Sequence, residues 1–147
     1  MRTDPSRLDI DRYPFAADIP PRFTDMDALR HLNNVALASI YEEGRLALHR
    51  AMHLEGRREK GTRTVVAQVN ISYLPEGHYP QPIKVAGRIG RIGGASYVIE
   101  QGLFQEGRCI GVCDTVIVNT SEGRSHPLAP AFREALKAFQ IEEPNDG

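Results

Sequence analysis

The sequence predicts an α+β domain in which one long helix lies against an antiparallel sheet. Residues 34–53 return apolar side chains at helical spacing. Residues 63–119 then alternate apolar and polar positions in runs separated by turn-forming glycines and prolines, with no helical pattern between them. At 147 residues, 41% of them hydrophobic, the chain can build one core and is too short for two ordinary ones.

The elements follow in order. Residues 18–23 read as a short strand, confined to a sheet edge because Pro20 and Pro21 cannot donate ladder hydrogen bonds. The helix over 34–53 takes Asn33 or Asn34 as its N-cap. Its buried stripe is Leu37, Ile40, Tyr41, Gly44, Leu48, Ala51 and Met52, whereas Glu42, Arg45, His49 and His53 occupy the opposite, solvent-facing arc with Leu46 as an apolar intruder. In the strand over 63–74, Val65, Ala67, Val69, Ile71 and Tyr73 point one way; Gln68, Asn70 and Ser72 point the other, with Val66 and Leu74.

Pro75, Gly77, Pro80 and Pro82 mark a loop before a strand over 83–92. Gly93-Gly94 then turns into a hairpin partner over 95–105. Glu106-Gly107 turns again into a strand over 108–119, where Ile110, Val112, Val116 and Val118 share a face with Asp114. A last short helix starts at Pro130 and carries Phe132, Leu136 and Phe139 on one stripe. The domain is expected to span 13–140, with polar termini at 1–12 and 141–147.

Composition excludes several functions. A net charge of −1 gives no global attraction to nucleic acid or to an anionic membrane. No apolar run reaches the roughly 18 residues of a membrane span, and residues 1–12 lack the apolar segment of a secretory signal. Cys109 and Cys113 fall in one strand about 13 Å apart, beyond the roughly 4.4–6.8 Å a disulfide spans, so reduced thiols and a cytoplasmic setting are expected. P-loop, dinucleotide-binding, nucleophile-elbow and CxxC motifs are absent. His49 and His53 lie four apart, but no Glu follows His49 as a zinc-peptidase motif requires, and no metal is expected.

The chemistry concentrates in residues 22–34, RFTDMDALRHLNN, at the entrance to the long helix. Asp25, Asp27, His31, Asn33 and Asn34 gather there, beside unpaired backbone N–H groups and the positive end of the helix dipole. Such an end stabilises an oxyanion, and a nearby carboxylate can attack a carbonyl or activate water. Capping and turn formation also account for Asp25, Asp27 and the Asn pair, and residue types alone favour that role. Arg88 and Arg91, beside Gly93-Gly94-Ala95-Ser96, are candidates for holding a phosphate or nucleotide.

Residues 22–45 resemble the signature of hotdog-fold acyl-CoA thioesterases of the 4-hydroxybenzoyl-CoA thioesterase type. That signature has an Arg-aromatic start, a D-x-D pair, a Gly-His-x-Asn-Asn turn and a helix carrying aromatic-Glu-Glu. VNISYLP at 69–75 and RIGGASY at 91–97 resemble later family segments, so the likeness spans roughly residues 18–119. Arg30 stands where the family usually has Gly, and Leu37 where it usually has an aromatic residue. The resemblance implies a hotdog fold, an antiparallel sheet wrapped around a central helix. It makes Asp27 the catalytic carboxylate, gives the carbonyl-polarising amide to Asn34 or a neighbour, and has Asn33 and His31 shape the turn. Ser96 would lie near the pantetheine or nucleotide entrance.

The implied substrate is an acyl-CoA or acyl-carrier-protein thioester. CoA enters as part of the substrate, with no separate cofactor, and the chain assembles as a homodimer or homotetramer. Two other readings remain: a non-catalytic acyl-CoA binder, and a hydratase or dehydratase with His31 as base. The second would need a D-x-N-P-x-H arrangement, which is absent.

Overall fold

The computed structural model describes residues 4–22, 25–28, 32–74 and 81–141. Strand β1 spans Phe15–Ile19, helix α1 Asn34–Ala51, and strands β2 to β5 Thr62–Tyr73, Ile83–Ile92, Ser96–Gln105 and Arg108–Ser121. A short β6 (Arg124–Ser125) and helix α2 (Pro130–Lys137) complete the chain. The strands form one curled antiparallel sheet in the order β1-β3-β4-β5-β2, with β6 paired to β5. This is the expected α+β class and the hotdog architecture.

Local chemistry accounts for the boundaries. Strand β1 is an edge strand that stops at Ile19 because two prolines follow, which moves it ahead of the expected 18–23 segment. Asn33 caps α1, its Oδ1 accepting the Ala36 amide at 2.8 Å. The helix ends at Ala51, two residues early, and His53 adopts the left-handed conformation (φ +53°) that closes many helices. Glu106 and Gly107 both have positive φ, 52° and 76°, as a two-residue hairpin turn demands. Helix α2 carries Pro130 in its first turn and buries Phe132 and Leu136, as predicted.

Helix α1 lies on one face of the sheet, where Ile40, Tyr41 and Leu48 pack against Ile83, Val85, Ile89, Ile99, Leu103 and Ile117. Gly44 makes the closest approach. A Cβ there would collide with Val85 and come within 2.9 Å of the Gln101 amide nitrogen, which itself donates to the Tyr41 carbonyl at 3.0 Å.

Four expectations need correction. A bulge between Val66 and Gln68 shifts the phase of β2, so Val66, opposite Ile117, faces the helix and Val65 faces away. A second irregularity between Leu103 and Phe104 turns Ile110 toward the helix side, separating it from Val112 and Asp114. Arg45 is buried and His49 half-buried, although the helical wheel leaves both in solvent; α1 is flanked by β2 as well as floored by β3 and β4.

The fourth concerns residues 4–12, which are more than a polar terminus. They cover the sheet face opposite α1, where Tyr13, Ala86, Phe104, Cys109 and Val112 form a smaller core. Arg7 anchors them, donating to the Gln101 carbonyl at 3.0 Å and pairing with Asp114 at 2.7 Å. Leu29, Arg30, His31, the loop at 75–80 and residues 142–147 lie outside the described residues.

Candidate active site

The segment leading into α1 is held by Asp25. Its buried carboxylate accepts the Arg22 backbone amide at 2.7 Å and pairs with the Arg22 guanidinium at 3.0 Å, while its own carbonyl accepts the Asn33 amide at 2.9 Å. Burial pushes the Asp25 carboxyl up, but the Arg22 hydrogen bonds and charge outweigh it and hold the group below the usual carboxylate range. Asp25 is therefore a structural carboxylate, fixing the angle at which the chain enters the helix.

Asp27 lies two residues on and is exposed, next to Met26, which forms an isolated antiparallel bridge with Leu32. The amide of Ala36 goes to the Asn33 side chain, whereas those of Asn34 and Val35 donate to nothing among the described residues. Both residues line a cleft of about 390 Å³, together with Arg22, Asp25, Asn33, Ala36 and Ser39. Asp27 is not among that lining within one chain. Asn33 and Asn34 both line that cleft, and His31 lies outside the described residues.

The other candidates sit elsewhere. Arg88 and Arg91 share a second cleft, about 690 Å³, with Asp4, Ser6, Arg12 and Glu100 on the sheet face away from α1. The Arg88 guanidinium is engaged there: Nε donates to Glu100 at 2.8 Å, Nη1 to the Arg12 carbonyl at 3.1 Å and Nη2 to Ser6 Oγ at 3.2 Å. It also lies 5.0 Å from the centre of the Tyr13 ring. With its side chain only 5% exposed, Arg88 fastens residues 4–13 to the sheet, and Arg91 is the exposed cation of the pair. Ser96 opens β4, beyond the Gly93-Gly94 turn.

Sequence reasoning missed a polar cluster where α1 meets β4 and β5. His49 Nε2 lies 3.1 Å from the Tyr97 hydroxyl, and Arg45 donates to Thr115 Oγ1 at 3.3 Å. Burial, reinforced by Arg58 and Arg45, lowers His49 to a pKa of about 4, so at neutral pH its imidazole is uncharged. Leu46, apolar on an otherwise polar arc, was the one sequence signal that this side of the helix is partly covered.

Among the described residues no group of three or more His, Cys, Asp or Glu side chains could hold a metal ion. No helix there is long and apolar enough to cross a membrane. Both cysteines are buried free thiols.

A family model described as the thioesterase-like superfamily matches residues 21–136. Among solved structures, a thioesterase from Thermus thermophilus complexed with coenzyme A and zinc is 26% identical, with a TM-score of 0.76 over 87% of this chain and 95% of that one. A predicted thioesterase from Bacillus stearothermophilus is 27% identical, with a TM-score of 0.77 over 88% and 98% of the two chains. A thioesterase-superfamily protein from Jannaschia is 25% identical, with a TM-score of 0.73 over 84% and 81%. No curated protein matches by sequence.

Proposed function

This chain belongs to the thioesterase-like superfamily, and on that premise we propose that it is an acyl-CoA thioesterase of the 4-hydroxybenzoyl-CoA thioesterase type. The observation that carries the reading is the entrance to α1, where Asn33 caps the helix and leaves the Asn34 and Val35 amides open beside a cleft that both residues line. A thioester carbonyl held against these donors is polarised, and the charge that develops on its oxygen meets both N–H groups and the helix dipole. Asp27 supplies the carboxylate: it is the second aspartate of the D-x-D pair, the position that the family resemblance makes catalytic.

In the general-base route Asp27 takes a proton from water, whose oxygen attacks the carbonyl carbon. The tetrahedral intermediate then collapses, the C–S bond breaks and CoA leaves as a thiolate. In the nucleophilic route Asp27 attacks the carbonyl carbon directly, the C–S bond breaks to expel CoA as a thiolate, and water hydrolyses the resulting mixed anhydride to the free acid and the Asp27 carboxylate. Simple thiols ionise near pH 8.5, so the leaving group asks for no strong acid.

The substrate class is supported by the Thermus relative bound to coenzyme A. Arg91 is the residue we place on the nucleotide phosphates, with Arg88 holding its cleft together. Asp27 falls outside the cleft of its own chain, which fits a site completed by a second copy across a dimer interface. A reducing compartment, the cytoplasm, suits the two free thiols.

The test is thiol release from a panel of acyl-CoAs by the wild type and Asp27→Asn. Release by the wild type and a fall in kcat of at least about 10²-fold in the variant are expected. An inert wild type that still binds acyl-CoA would favour a non-catalytic binder. Turnover of Asp27→Asn at the wild-type rate would remove the carboxylate from the mechanism.

A further inference from the structure

Two arginines in the cleft on the outer sheet face stand without a partner among the described residues. That cleft, of about 690 Å³, gathers the guanidinium groups of Arg12, Arg88 and Arg91 and the carboxylates of Asp4 and Glu100. Both carboxylates are matched. Glu100 pairs with Arg88 at 2.8 Å and with Arg7 at 3.8 Å, and Asp4 accepts the Ser6 amide at 3.0 Å. The side chains of Arg12 and Arg91 make no hydrogen bond or ion pair among the described residues.

Arg12 is half-buried and held through its backbone. Its carbonyl accepts Arg88 Nη1 at 3.1 Å, and its amide donates to the Asp9 carbonyl at 3.0 Å. Arg88 thereby sets residues 4–12 beside β3, the strand that carries Arg91. The two unpaired guanidinium groups come to one cleft from separate elements, ordered before any ligand arrives. Like charges gathered this way repel, and an anion between them turns the repulsion into attraction. The volume falls within the range of small-molecule sites, and Ile89 and Ile141 add apolar surface.

Resting on the acyl-CoA reading above, we propose that Arg12 and Arg91 together hold the phosphate groups of the CoA nucleotide, so that the cleft selects free CoA over a carrier protein. The planar fork of a guanidinium matches a phosphate in two parallel hydrogen bonds. CoA brings a diphosphate, a separate 3′-phosphate and an adenine base, enough to engage both arginines and the apolar surface. The arm on a carrier protein ends in one phosphodiester and has no nucleotide, so it leaves one arginine empty. Arg12 is a binding residue that the sequence does not single out, on a segment ahead of the domain expected at 13–140.

The experiment is calorimetric titration with CoA and, separately, 4′-phosphopantetheine, on the wild type, Arg12→Met and Arg124→Met. The wild type is expected to bind CoA at least about tenfold more tightly than 4′-phosphopantetheine. Arg12→Met should lose about tenfold in CoA affinity, the size of one charge-assisted bond, and bind 4′-phosphopantetheine as the wild type does. Arg124 is exposed and outside the cleft, so Arg124→Met loses the same charge and should bind CoA unchanged. Wild-type affinity in Arg12→Met would overturn the proposal. So would an equal loss in Arg124→Met, which would mark general charge attraction. Equal affinity of the wild type for the two ligands, or binding of neither, would overturn the selection of CoA. In each of these cases thiol release from acyl-CoA by the wild type leaves the thioesterase reading standing. Arg12-dependent CoA binding without any thiol release would instead remove that reading and keep this site.

Discussion

Arg88 and Arg91 are three residues apart on one strand and line one cleft, yet the structure gives them different work. Arg88 joins Glu100, the Arg12 carbonyl and Ser6 under the Tyr13 ring, so Arg88→Ala leaves the partly buried Glu100 carboxylate only its longer pairing with Arg7, at 3.8 Å, and loosens residues 4–13. A loss of about 3 kcal/mol in denaturant unfolding is expected. Arg91 is exposed, and Arg91→Ala should leave stability unchanged while raising KM for acyl-CoA several-fold at constant kcat, because contacts far from the reacting carbon contribute uniform binding. An unchanged KM would move the nucleotide elsewhere. The sequence shows two arginines beside a glycine turn and nothing that separates them. Their difference comes from residues 6, 12 and 100, which are brought to Arg88 only by folding.

The helix carries two predictions of its own. Gly44 lets α1 sit close to β3 and β4, so Gly44→Ala drives a methyl group into Val85 and the Gln101 amide. Overpacking of this kind costs about 1–3 kcal/mol, which exceeds the gain of up to about 1 kcal/mol in helix propensity. A lower melting temperature is expected, and a raised one would show that the helix can shift outward.

His49 gives the second, through pH. Its folded pKa of about 4 lies below the ordinary 6.5, so the folded state binds its proton less readily than the unfolded state. The associated stability is fully present above pH 6.5 and is lost as pH falls toward 4. His49→Gln keeps an acceptor for the Tyr97 hydroxyl without titrating, and its stability should vary less over that window. Equal pH slopes in the two proteins would place the titration on another group.

At the scale of the whole molecule, β2 is an edge strand with exposed apolar side chains: Val66 is 54% exposed, Val69 43% and Tyr73 53%. A long apolar edge is a template for another strand, and proteins seldom leave one bare. We expect two copies to pair along it. Light scattering at micromolar concentration should give twice the 16.4 kDa chain mass or more. A monomer would remove the shared site.

The sequence by itself determined the elements and their order. Period-two alternation, the Gly93-Gly94 and Glu106-Gly107 turns, Pro130 and the Asn33 cap are all local signals, because each depends on residues a few positions apart. It also located the candidate chemistry at residues 22–34, since a helix entrance is a local feature. The tertiary structure decided which aspartate is structural, because the Asp25–Arg22 pair and the Asp25–Asn33 hydrogen bond close a turn whose geometry no periodicity encodes. It decided the phase of β2 through one extra residue that alternation cannot register. It also placed residues 4–12 on the sheet and Arg45 in a cleft, since burial depends on which distant surface arrives: the outer sheet face for Arg7, and the curled edge strand for Arg45.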